Sequence, residues 1–395
     1  MALLGTAFAG LARAGLPTMA SGPARRVLGA LPRVIRRGGK WSVEREPHPM
    51  PSPGDIINDG KLRSLIASTE VDARDRLRVR EILQNAKERA TLKRAGPGGE
   101  LRGTSEFVQG LTLEEAATLL NIDGERDPEL LQDLFGTALD VKHQIYGNRI
   151  VLFAPLYIAN YCVNQCTYCA FRSKNKDMPR SELTMEELVG ETQALERMGH
   201  RRLLLLTGEH PKYPFDRFLE AVHKVAAVRT EPCGDIRRIN VEIPSLSVSD
   251  FRRLKATNEI GTYTLFQETY HQPSFERVHP SGPKSDFAHR LSTMDRAQIA
   301  GVDDVGIGAL FGLHDYRYEV LAMMMHAAHL DREYGAGPHT ISIPRMQPAL
   351  NAPDALNPPA PVGDLDFMKL TAVIRCAVPY TGMILSTRES PEMRE

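Results

Sequence analysis

From Asn148 onward the chain alternates short apolar runs with longer stretches in which apolar residues recur every three or four positions. Strand period followed by helix period, repeated, is the signature of βα units and a parallel sheet. The pattern predicts strands at 150-IVLFAPLYI-158, 201-RRLLLLT-207, 238-RINVEIP-244, 262-TYTLFQE-268, 304-DVGIGALF-311, 340-TISIPR-345 and 383-MILSTR-388. Between the first two lies 184-TMEELVGETQALERMG-199, where Thr184 and Glu187 form a capping box at the start of a helix. Seven such strands with crossover helices point to a TIM-type barrel with its site at the C-terminal strand ends. A closed barrel needs an eighth strand, and the sequence stops at Glu395 before supplying one, so an incomplete, C-terminally truncated barrel is expected. The rival is an open doubly wound sheet.

Ahead of the βα repeats, Ile56 to about Tyr146 alternates charged and apolar residues at helical spacing, broken by 95-AGPGGELRG-103. Thr112 and Glu115 in 110-GLTLEEAATLLN-121 make a second capping box. The proline-rich 46-EPHPMPSPGD-55 reads as a linker, so the expected organisation is a leader over 1–45, linker and helical region over 46–147, and barrel over 148–395.

Composition changes this picture in one place. The chain balances 49 basic against 49 acidic residues and is 42% hydrophobic, which gives no global charge to draw nucleic acid or an anionic membrane. No run of about eighteen apolar residues suggests a membrane span. Yet Met1 to Val43 lacks any acidic residue while carrying Arg13, Arg25, Arg26, Arg33, Arg36, Arg37 and Lys40. That is the composition of an organelle transit peptide, for chloroplast, mitochondrion or hydrogenosome, which composition does not separate.

The chemistry is concentrated in 157-YIANYCVNQCTYCAF-171, which holds Cys162, Cys166 and Cys169, three of the five cysteines. Zinc sites usually draw on two pairs of ligands and close a tetrahedron. An odd, crowded trio also disfavours disulfides. Three thiolates suit a 4Fe-4S cluster with one iron left open to chelate another molecule. Cys233 and Cys376 stand alone and read as inert thiols, and 323-MMM-325 as core filler.

The spacing C-x-x-x-C-x-φ-C, with Tyr168 as the aromatic, resembles the hallmark of the radical S-adenosylmethionine (SAM) enzymes. The resemblance extends through 143-HQIYGNRIVLFAPLYIANYCVNQCTYCAF-171, 261-GTYTLFQETYHQPSFERVHPSGPKSDF-287, 301-GVDDVGIGALFGL-313, 337-GPHTISIPR-345 and 378-VPYTGMILSTRE-389. These segments are similar to the HydG/ThiH family of tyrosine lyases, over the chain from about residue 56 to its end.

The resemblance implies a 4Fe-4S cluster on Cys162, Cys166 and Cys169, with SAM on its open iron. It implies cleavage of the Cα–Cβ bond of L-tyrosine to p-cresol and a glyoxyl imine fragment. That fragment would serve carbon monoxide and cyanide synthesis in hydrogenase maturation, or, in the alternative, thiazole synthesis. It assigns Tyr168, Gly208, Glu209, Glu268 and His271 to the SAM side; 207-TGE-209 departs from the family's G-G-E only at Thr207. Ser386 and Arg388 are assigned to the tyrosine carboxylate and His329 to an extra iron of a second cluster. Expected partners are a reductant such as ferredoxin or flavodoxin and other hydrogenase maturases. The cysteines of that second cluster are not in these 395 residues, so the resemblance leaves open an inactive iron-sulfur fragment.

Overall fold

In the computed structural model, residues 35–37, 40–42, 48–90, 109–232 and 234–394 are described. Most of the proposed leader, the 95–103 break and Cys233 lie outside them. Seven strands form one parallel sheet: β1 (Ala154–Ala159), β2 (Arg202–Thr207), β3 (Arg238–Glu242), β4 (Ile260–Thr264), β5 (Val305–Gly308), β6 (Thr340–Ser342) and β7 (Gly382–Ile384). Their spatial order is their chain order, β1 to β7. A doubly wound sheet reverses direction at a switch point. Here every crossover steps the same way, so right-handed connections bring all the helices to one face and the sheet curls around the other. The result is an incomplete TIM-type barrel with β1 and β7 at its edges.

The ladder is shorter than the apolar runs. Ile150, Val151 and Leu152 are 79%, 60% and 74% exposed, and pairing begins only at Ala154. At the other edge β7 ends at Ile384, so Ser386 and Arg388 sit on the turn beyond the strand. An edge strand pairs on one side only, and its outer residues peel away more readily than those of central strands. Central β5 and β6 are buried throughout, as expected of parallel strands covered on both faces. Two small antiparallel hairpins, Ile35–Arg37 with Lys40–Ser42 and Arg229–Thr230 with Gly234–Asp235, carried no sequence signal.

Among the described residues, four helices of eight residues or more precede the sheet: α1 (Asp59–Ser68), α2 (Arg76–Arg89), α3 (Leu113–Leu120) and α4 (Pro128–Tyr146). The Thr112–Glu115 box caps α3, and the Thr184–Glu187 box caps α5 (Met185–Arg197). Each box satisfies two backbone donors reciprocally at the helix start. The linker contributes one helical turn, Pro53–Ile56.

Further on come α6 (Phe215–Ala227), α7 (Val248–Ala256), α8 (Gln272–Val278), α9 (Phe287–Leu291), α10 (Thr293–Ile299), α11 (Tyr316–Tyr334) and α12 (Asp364–Ala377). One apolar core runs from Ile56 through the helices and strands to Val378. The N-terminal helices therefore share the barrel's core: α4 packs on α12, and Lys369 Nζ of α12 donates to the Ile122 carbonyl at 2.9 Å. Met323, Met324 and Cys376 are buried in this core, and burial pushes the Cys376 thiol up to about 12. Among the described residues no helix is long and apolar enough to cross a membrane.

Candidate active site

The three cysteines lie on the loop leaving β1, and the loop is pinned by backbone bonds to two other loops. Val163 N donates to Glu209 O (2.9 Å), Gln165 N to Ser281 O (3.1 Å) and Thr167 N to Val278 O (3.0 Å). Arg180 binds four of its carbonyls, those of Asn160, Phe171, Arg172 and Asn175. A long loop is held this way because its buried polar backbone must find partners. Asn164 locks the centre: its Nδ2 donates to Glu209 Oε2 at 2.7 Å, and its Oδ1 accepts from Lys284 N at 2.9 Å.

Cys162, Cys166 and Cys169 line one cleft of about 540 Å³, together with Tyr168, Gly208, Glu209, Glu242, Glu268, Lys284, Arg290, Ser386 and Arg388. Burial pushes the Cys166 thiol up to about 12 and raises Cys169 as well, so holding them as thiolates takes bound positive charge. Asn164 Nδ2 approaches the Cys162 sulfur at 3.6 Å and Phe171 N the Cys169 sulfur at 3.4 Å. Such donors are how a protein tunes iron-sulfur ligands. Among the described residues no group of three or more His, Cys, Asp or Glu could hold a single metal ion. A cubane, taking one thiolate on each of three irons, needs a wider triangle, and three thiolates on one pinned loop fit that group.

Gly208 follows β2, and a Cβ there would lie 2.2 Å from the Tyr161 carbonyl oxygen. Only glycine lets the strand end approach the cysteine loop so closely. Gly208→Ala is expected to cost about 1–3 kcal/mol, as overpacking does when backbone must move. A lower urea midpoint at unchanged slope is the check. Beside it Glu209 is half-buried, and its partial removal from water raises its carboxyl despite the Asn164 bond.

Glu268 sits in a left-handed conformation (φ 72°) just past β4. Strain of this kind in a non-glycine residue costs on the order of 1–3 kcal/mol and persists where the surroundings fix it. Here Lys284 Nζ and Arg290 Nη2 both bond its Oε1, the latter at 3.3 Å, while Arg290 Nε donates to Phe266 O at 2.8 Å. Tyr168 is buried with its hydroxyl 2.7 Å from His279 Nε2 and Lys284 Nζ 5.5 Å from its ring centroid. Across the cleft, Arg388 N donates to Ser386 Oγ (3.2 Å) and Arg388 Nη2 to Pro348 O (2.8 Å). The buried Glu389 carboxylate, held by Arg345 at 2.6 Å, anchors that turn.

Two sequence candidates are not brought to the cleft. Thr269 Oγ1 and Tyr270 N are tied to the buried Glu319 carboxylate, so the chain leaves β4 away from the cleft. His271 consequently stacks on His314 (centroids 3.8 Å apart) and meets Arg63 Nη2 at 2.7 Å. His329 lies on α11 with its Nε2 2.7 Å from Asp295 Oδ1, beside a separate cavity shared with Asp55 and Arg332.

Conversely, sequence reasoning missed Asn164, Glu242, Lys284 and Arg290. One signal existed for Glu242: the strand 238-RINVE-242 buries Ile239 and Val241 on one face and sets polar residues on the other. Lys284 and Arg290 come from the segment after α8 and had none.

Residues 156–327 match the model of the radical SAM superfamily, and 342–395 that of the biotin and thiamin synthesis associated domain. The 2-iminoacetate synthase of Escherichia coli (strain K12) is 32% identical over 267 residues, 67% of this chain and 68% of that protein. The enzyme of the same name from Salmonella typhimurium is 31% identical over 269 residues, 68% of each. A crystal structure of HydG, described as a maturase of the FeFe-hydrogenase, superimposes with TM-score 0.76 at 47% identity, covering 86% of this chain and 69% of that one. HydG from Carboxydothermus hydrogenoformans gives TM-score 0.73 at 39% identity, covering 86% and 72%. With three cysteines at the mouth of a parallel barrel and relatives of this extent, the chain belongs to the radical SAM superfamily, within the group that holds HydG and 2-iminoacetate synthase.

Proposed function

We propose that this protein is a radical SAM tyrosine lyase of the HydG type, which cleaves the Cα–Cβ bond of L-tyrosine to p-cresol and a glyoxyl imine fragment for hydrogenase maturation. The observation that carries the reading is convergence. The cysteine loop, Glu209 and the Ser386–Arg388 turn open on one cleft, in a chain 47% identical to a solved HydG.

Cys162, Cys166 and Cys169 would hold a 4Fe-4S cluster, and Gly208 and Glu209 the methionine part of SAM. Once bound and given an electron by a small reductant such as ferredoxin or flavodoxin, the pair supplies a 5′-deoxyadenosyl radical. The remaining residues orient and shield. Arg388 offers a planar fork of donors to the substrate carboxylate, with the Ser386 hydroxyl beside it. Glu268 fixes Lys284 and Arg290 so that their charges stay at one wall. The walls that exclude water protect reactive intermediates. The arginine-rich stretch from Met1 to Val43, which has no acidic residue, supports delivery to an organelle.

The test is anaerobic turnover of the iron- and sulfide-reconstituted protein with dithionite, SAM and L-tyrosine, followed by chromatography. The expected products are 5′-deoxyadenosine and p-cresol, neither without SAM. Cleavage of SAM with p-cresol at background would contradict the lyase assignment.

A further inference from the structure

The cleft holds three glutamates, and two have their partners: Glu209 accepts from Asn164, and Glu268 holds Lys284 and Arg290. Glu242 is different. It ends β3, in a row with Leu206 of β2 and Tyr157 of β1, and its side chain opens on the same cleft as Ser386 and Arg388. What acts on it is burial, then the Glu268 charge, then Lys284 and Arg290, with no hydrogen-bond donor among the described residues. Glu242 is half-buried at the cleft wall, and a carboxylate partly withdrawn from water without a donor is stabilised by an arriving cation.

The cation that fits is the ammonium of an α-amino acid. In such a ligand the ammonium and carboxylate hang from one carbon. Glu242, at the end of β3, and Arg388, on the turn after β7, line one and the same cleft. A guanidinium and an unpartnered carboxylate facing one space are complementary to both ends of a zwitterion.

Resting on the tyrosine-lyase reading, we propose that Glu242 receives the α-ammonium group of the substrate and takes one proton from it, presenting a neutral amine for hydrogen-atom abstraction. One N–H bond breaks and one O–H bond forms: –NH₃⁺ and –COO⁻ become –NH₂ and –COOH, with no change of oxidation state. The chemistry needs this step because an ammonium nitrogen has no lone pair. Removing a hydrogen atom from it would leave a radical cation beside Lys284 and Arg290.

The titratable and charged groups lining the cleft with Glu242 are Tyr157 from β1, Cys162, Cys166, Tyr168 and Cys169 from the loop after it, Glu209 after β2, Glu268, Lys284 and Arg290 after β4, Arg345 after β6 and Arg388 after β7. Burial first and Glu268 second push its carboxyl up to about 7, against Lys284 and Arg290. It is therefore mostly carboxylic acid near pH 6 and mostly carboxylate near pH 8. Bound tyrosine and Glu242 share a single mobile proton between them. Binding should thus expel close to one proton per tyrosine at about pH 6, and almost none at about pH 8.

The experiment is calorimetric titration of L-tyrosine into the reconstituted, SAM-loaded protein at both pH values, in buffers of different ionisation enthalpy. Glu242→Gln is titrated alongside, and 3-(4-hydroxyphenyl)propionate, which lacks the amine, serves as a second ligand. In Glu242→Gln the pH-dependent proton release should vanish, tyrosine should bind roughly ten-fold more weakly or worse, and p-cresol should fall further than binding does. The amine-free analogue should bind both proteins alike.

Loss of analogue binding in Glu242→Gln would show a structural role and overturn the inference. So would tyrosine affinity, proton count and p-cresol rate all equal to the unsubstituted protein. Absence of p-cresol from the unsubstituted protein would instead overturn the lyase reading, and this inference with it.

Discussion

Replacing Cys162, Cys166 and Cys169 together by alanine is expected to abolish iron and sulfide incorporation and 5′-deoxyadenosine formation while the fold survives. The fold should survive because its core lies elsewhere. Cys166 and Tyr168 belong to a small apolar cluster with Val278 and Leu313, apart from the main core that joins strands and helices. Truncating cysteine to alanine removes one sulfur, and loss of a group that size at a buried site costs about 1 kcal/mol. That is modest against the 5–15 kcal/mol or so typical of native stability.

The cluster should not survive, since no other described residues form a set able to replace the thiolates. Iron and acid-labile sulfide analysis, with electron paramagnetic resonance of the reduced protein before and after SAM, gives the readout. Retention of a cluster signal in the triple variant, or zinc in place of iron in the parent, would contradict the assignment.

The second large effect concerns the substrate. Arg388→Ala should raise the KM for L-tyrosine about thirty-fold or more, because removing one member of a hydrogen-bonded charge pair costs roughly 2–5 kcal/mol. The loss should fall on tyrosine and not on SAM, since Arg388 projects from the turn after β7 while the cysteine loop and Glu209 follow β1 and β2. SAM cleavage should thus continue, uncoupled, with the ratio of p-cresol to 5′-deoxyadenosine falling. Arg388→Lys should recover only part of the affinity, because an ammonium cannot reproduce the planar two-donor fork. Steady-state kinetics in both tyrosine and SAM separates the effects. An unchanged KM for tyrosine would remove Arg388 from the substrate site.

What could be read in advance follows from how local each signal is. Strand existence was legible because β2, β5 and β6 are short runs bounded by helix-period stretches, and the helix starts because Thr112 and Thr184 carry their partners three residues on. The cysteine site was legible because Cys162, Cys166 and Cys169 fall within eight consecutive residues of one loop.

The rest of the cleft is assembled by the curl of the sheet, which no local window records. Glu242, Lys284 and Arg290 meet Glu209 only because β2, β3 and the segments after β4 converge on one mouth. His271 fails to join them for the opposite reason. It is three residues from Glu268, yet the left-handed turn at Glu268 and the Glu319 anchor send it to the stack with His314. Strand ends were misjudged at the sheet edges, where Ile150 to Leu152 are apolar but unpaired and Ser386 lies beyond the ladder.

The central claim is that a radical formed at this cleft takes a hydrogen atom from the amino group of tyrosine. Single-turnover reaction in D₂O, with ordinary L-tyrosine and mass spectrometry of the 5′-deoxyadenosine, tests it most directly. The amino and phenolic hydrogens exchange with solvent, whereas those on carbon do not, so a parallel reaction with 4-methoxy-L-phenylalanine, which lacks the phenolic hydrogen, isolates the amino group. The account expects 5′-deoxyadenosine carrying one deuterium, formed together with p-cresol. Undeuterated 5′-deoxyadenosine alongside p-cresol would place the abstraction on carbon and contradict it.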